Sequence, residues 1–145
     1  AAGWGLTWRG TVPAALWGAG GVVALWSGLA LAFRAYGLPV GIPTPPGGWM
    51  SGVLAQVIVA AAAETWLRGV AFASVAAWKG AGAAVVVTTV LGLLIHRGLG
   101  AEAMAWALVT GALFGVIRMR TGNAVGLIVP HVLGNVAFST IALLR

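Results

Sequence analysis

Gln56-Val57-Ile58-Val59-Ala60-Ala61-Ala62-Ala63-Glu64-Thr65-Trp66-Leu67-Arg68-Gly69 decides how this chain is read. Seven apolar residues lead into Glu64, and Arg68 follows four positions later on the same helical face. A carboxylate and a guanidinium are costly in hydrocarbon, so charged groups within a membrane segment mark a functional site by default. The surrounding helix runs from about Trp49 to Trp78. That exceeds the ~20 residues of one crossing, which predicts a tilted helix or a break near Gly69.

Outward from this stretch the composition is equally apolar. The 145 residues are 61% hydrophobic and 7% charged, with mean hydropathy +1.02. Soluble domains carry about a quarter charged residues. The fold class is therefore all-α: a polytopic transmembrane helical bundle of about five crossing helices. The apolar runs are continuous rather than alternating, which argues against a membrane β-barrel. Residues 1–145 suit a single integral membrane domain, without room for a soluble domain beside it. The chain begins Ala-Ala, as a processed or trimmed chain does. Cysteine is absent, so neither a disulfide framework nor a thiolate metal site is available. The net charge of +6 comes from eight Lys/Arg against Glu64 and Glu102. These cations sit mostly at the ends of apolar runs, where they anchor helices at the headgroups rather than bind nucleic acid.

The spans follow in order. Trp4, Trp8 and Arg9 suit an interfacial segment. The first span, about 12–36, carries Gly20, Ala24, Gly28 and Ala32 as a face for close helix approach. Four of the six prolines fall in residues 37–48, which predicts a loop. After the long second span, the third runs about 81–96. The fourth runs about 101–119, with Ala107, Gly111 and Gly115 as its packing face. The fifth runs about 124–144, with Pro130 removing a backbone bond just before His131. Alternating crossings put Arg9, Lys79, Arg118 and Arg120 on one side and Arg34, Arg97 and Arg145 on the other. That split favours a cytoplasmic N-terminus. No internal repeat is visible.

Five polar residues at membrane depth are candidates for one shared site: Glu64, Arg68, His96, His131 and Asn135. Each has a bland reading. Glu64 and Arg68 form a buried pair that fixes helix register; His96 is interfacial; His131 and Asn135 satisfy carbonyls freed by Pro130. Together, in a chain so poor in such groups, they favour a common cavity. Hydrolysis needs a water, a base and an oxyanion donor. Binding of a divalent metal such as zinc would use His96, His131 and Glu64. Axial ligation of a haem or chlorophyll-type pigment would use His96 or His131.

Ala63-Glu64-Thr65-Trp66-Leu67-Arg68-Gly69 resembles the E-E-x-x-x-R-G motif of the CPBP family, the CAAX prenyl protease and bacteriocin-processing group of membrane proteins. Gly92-Leu93-Leu94-Ile95-His96 resembles that family's F-x-x-x-H, and His131-Val132-Leu133-Gly134-Asn135 matches its H-x-x-x-N. The stretch from Gly111, with Arg120-Thr121-Gly122-Asn123, is similar to its run-in to the last motif. The resemblance covers about residues 50–140. It implies that Glu64, Arg68, His96, His131 and Asn135 occupy family site positions. Two motif positions depart from the pattern. Ala63 stands where the family has its first Glu, the residue taken as the water-activating base, and Gly92 stands where it has Phe. The chain is also shorter than typical members. Glu64 is about 100° further round an α-helix and does not simply stand in for a carboxylate at 63. The readings left open are a non-catalytic relative, an engineered Ala63, or a Glu64 that acts through a shifted helix.

The leading expectation is a non-catalytic CPBP-fold integral protein of a bacterial inner membrane. Its partners would be the lipid bilayer and other membrane protein subunits, for which it serves as an accessory or structural subunit. The alternative is an intramembrane endopeptidase acting on prenylated or small membrane substrates. The third is a pigment- or haem-binding membrane subunit.

Overall fold

The computed structural model describes residues 3–37 and 49–142. Nearly all of the loop expected at 37–48, together with Arg145, lies outside the described residues. The elements are α1 (Thr11–Ala35), α2 (Trp49–Ala63), a π segment (Glu64–Ala71), α3 (Phe72–Lys79), α4 (Ala81–Ile95), α5 (Ala101–Thr121), a 3₁₀ turn (Val125–Leu127) and α6 (Ile128–Ala142). No strand occurs among the described residues. Among the described residues three helical stretches are long and apolar enough to cross a membrane: Thr11–Ala32, Gly52–Lys79 and Ala103–Thr121. The shorter apolar stretches Ala81–Ile95 and Val125–Val136 complete the bundle. The fold is the all-α membrane bundle that the composition predicts.

The break expected near Gly69 is a change of hydrogen-bond register, not an end of the helix. α2, the π segment and α3 run on without interruption, and Gly69 lies inside the π segment. Gly80 (φ 86) then turns the chain from α3 into α4, in a backbone conformation that residues with a Cβ rarely adopt. Gly122 (φ 68) closes α5 in the left-handed region, its N–H donating to Arg118 O at 2.9 Å. Pro130 lies in the first turn of α6, which begins at Ile128 directly after the 3₁₀ turn. Its buried ring packs against Gly18 of α1.

The core lies between α1, α5 and α6, around Ala14, Val22, Trp106, Phe114, Ile117 and Leu127. Lipid is as apolar as these side chains, so close packing rather than water exclusion must hold the helices together. Small residues supply it. Gly21 faces Leu113, Gly126 abuts the Thr11 backbone, and Gly134 faces Trp106. The expected α5 face packs as predicted, with Gly111 against Thr89 and Gly115 against Val85 of α4. The expected α1 face does not. Gly20 and Gly28 meet no neighbour within 4 Å, and Ala24 and Ala32 are exposed beside them. Pro130 and Leu113 fill the space beside Gly18 and Gly21, and this turns the other face of α1 outward.

The N-terminal segment before α1 lies on the connection between α5 and α6. Ala124 N–H donates to Gly5 O at 2.9 Å. Asn123, fully buried, donates through Nδ2 to Thr7 O at 2.6 Å and Arg9 O at 2.8 Å. Its Oδ1 accepts from Gly126 N–H at 2.7 Å. Trp8 remains exposed, as an interfacial aromatic does.

Candidate functional site

The site is built where the long second helix changes register. A π segment closes its hydrogen bonds one residue further along than an α-helix, and such segments recur at functional sites. The wider turn buries Glu64, Leu67, Arg68 and Gly69 on its inner side. Trp66 is left 68% exposed on the outer side. Glu64 has no exposed surface, so its carboxyl must be met by protein groups. His131 meets one oxygen: Nδ1 donates to Glu64 Oε1 at 2.7 Å. Arg68 faces the other, with Nε 3.7 Å from Oε2. That distance gives Coulomb attraction but no hydrogen bond. Glu64 Oε2 and Arg68 Nε are both buried without a hydrogen-bond partner among the described residues. Arg68 is held by α5, donating from Nη2 to Gly111 O at 3.0 Å, with its guanidinium 6.0 Å from the Phe114 ring centre. A Cβ on Gly111 would lie 3.4 Å from that nitrogen, in van der Waals contact.

These groups open onto a cavity of about 270 Å³, lined by Ala63, Glu64 and Arg68 and by His96, His131 and Asn135. The candidates expected to converge do so. Leu67, Ile95, Trp106 and Phe114 form much of its apolar wall. His96 closes α4, and its Nδ1 lies 2.8 Å from Gly92 O, which fixes the proton on Nδ1 and leaves Nε2 as an acceptor in the neutral ring. Gly92 stands where a Phe was the expected residue, and a Cβ there would touch only Leu67. Asn135 Nδ2 donates to Gln56 Oε1 at 2.8 Å.

The cavity can orient a carbonyl or hydroxyl group, because hydrogen-bonding side chains face one another across apolar walls. Among the described residues no three His, Cys, Asp or Glu side chains are placed to hold one ion. Glu64, His96 and His131 share the cavity but not a coordination sphere, since the Glu64 oxygen nearest His131 binds the imidazole itself.

Sequence reading missed three residues here. Gln56 lies two helical turns before Ala63, on the same face, and its polarity in an apolar run was a usable signal. Thr110 also lines the cavity, but its hydroxyl donates to Trp106 O at 2.7 Å, as threonines in many apolar helices do. Arg118, expected at the headgroups, is 5% exposed and donates to Arg68 O at 2.9 Å. Its spacing from Arg120 was the signal: residues two apart on a helix do not face the same way.

A family model described as type II CAAX prenyl endopeptidase, Rce1-like, matches residues 45–137, well over half of the chain. No curated protein and no solved structure matches significantly.

Proposed function

The chain belongs to the Rce1-like, type II CAAX prenyl endopeptidase family, and from that premise we propose that it is a non-catalytic member. It acts as an accessory subunit within a larger membrane protein assembly, in a bacterial inner membrane. The observation that carries this reading is the methyl group of Ala63 in the cavity wall. By resemblance this position belongs to the base that activates water. Glu64 does not replace it: its carboxyl is fully buried, bonded to His131 and facing Arg68. A general base contributes typically ~10²–10⁴-fold, and the site lacks that carboxylate. The outward Gly20, Ala24 and Gly28 on α1 support the subunit role, because small residues let a foreign helix approach closely.

The second reading, an intramembrane endopeptidase acting on prenylated or small membrane substrates, has one observation in its favour. His96, held through Nδ1 by Gly92 O, lines the cavity beside His131 and Asn135.

One assay separates the two. Purified protein in lipid is incubated with prenylated and single-span peptides, as the present chain and as Ala63→Glu. We expect no cleavage by the present chain and cleavage by Ala63→Glu. Cleavage by the present chain that His96→Gln abolishes would replace the first reading with the second. Stoichiometric co-purification with other membrane subunits, lost in Gly20→Leu, is the expected sign of the accessory role.

A further inference from the structure

We infer that Arg118 is the positioning residue of the cavity: it holds Glu64 and Arg68 in the π register and ties that register to the N-terminal segment. A helix that passes from five-residue to four-residue bonding skips one backbone carbonyl. A buried carbonyl without a partner is costly, so each must be accounted for. At the end of the π segment, Phe72 N–H reaches Leu67 O, the five-residue bond, and also Gly69 O. The carbonyl between them belongs to Arg68. It accepts from Arg118 Nε at 2.9 Å, across from α5.

The other contacts of Arg118 fit the same task. Its guanidinium carbon lies 5.2 Å from the Phe72 ring centre, over the first residue of the restored α-helix. Its Nη2 donates to Gly3 O at 2.7 Å. Gly5, at φ +69, leaves room for it; a Cβ there would come within 2.6 Å of the guanidinium carbon. One buried side chain therefore joins the skipped carbonyl, the ring that follows it and the N-terminal segment. Without the donor, the stable alternative is ordinary α register. That would rotate Glu64 relative to Arg68 and draw its carboxyl away from His131. This role holds whether or not the cavity hydrolyses anything.

The chain has two histidines, so the test reads His131 directly. Protein isotope-labelled at histidine nitrogen is examined by NMR in lipid nanodiscs, with His96→Gln to assign the signals. In the present chain His131 Nδ1–H should show the low-field signal of a hydrogen bond to a carboxylate. We expect Arg118→Leu to lose it while the His96 signal stays. Arg118→Lys, which can serve one carbonyl, should keep part of it. Where Arg118→Leu does not fold, Gly5→Ala decides, since its methyl displaces the guanidinium without removing it; there the His131 signal should move upfield. An unmoved His131 signal in a folded variant overturns the positioning role, even if the melting temperature falls, because a merely structural arginine would lower stability and leave that bond intact.

Discussion

Two buried polar clusters hold this bundle, and they are finished differently. Around Asn123 the Nδ2 group and Oδ1 have partners: Thr7 O, Arg9 O and Gly126 N–H all lie within 2.8 Å. Around Glu64 the bonding is incomplete, for Oε2 and Arg68 Nε face each other at 3.7 Å without a hydrogen bond. Satisfied networks rigidify a fold, whereas unsatisfied buried atoms cost stability and persist where something else is gained. The first cluster is a clasp for the N-terminal segment. The second leaves bonding capacity unused on two atoms buried in the wall of a cavity.

The comparison can be broken by removing one member at a time. The largest effect should come from Arg68→Ala, which leaves Glu64 facing His131 alone at zero exposure. Breaking a buried pair costs about 3–5 kcal/mol. Denaturation in detergent checks this, and an unchanged midpoint would mean that the pair contributes nothing. Asn123→Ala should cost less, about 1–3 kcal/mol, because neutral groups rather than a charge lose their partners. It should leave the His131 signal in place while the N-terminal segment becomes sensitive to protease. A shifted His131 signal would show that the clusters are one network. Gln56→Ala should cost least, about 0.5–1.5 kcal/mol for one ordinary hydrogen bond, since water entering the cavity can replace the group lost to Asn135. A penalty as large as that of Arg68→Ala would place Gln56 among the essential members of the open cluster.

The bundle was legible because apolar run length and loop chemistry are local properties. So was the convergence of Glu64, His96, His131 and Asn135, since polar groups in hydrocarbon have few places to go. What stayed hidden depends on partners far along the chain. Four-residue spacing identified small faces on α1 and α5, but it could not say that Pro130 and Leu113 would claim Gly18 and Gly21 rather than Gly20. Arg118 read as a headgroup anchor because it ends an apolar run, and only the Arg68 carbonyl explains its burial. The register change itself left one local trace, Gly69 within an over-long helix. Ala63 was legible as a departure at a family site position, and it lies in the wall of the same cavity as Glu64.

The short α4 has a consequence for the membrane around it. Fifteen residues rise about 22 Å, against a hydrocarbon core of ~30 Å. Its Val86, Val90 and Leu94 face outward, and a bilayer meets a short apolar surface by thinning. His96 closes this helix at the cavity wall. We expect the headgroup layer on that side to be drawn down toward the cavity, which would shorten the path by which water or the polar end of an amphiphile reaches it.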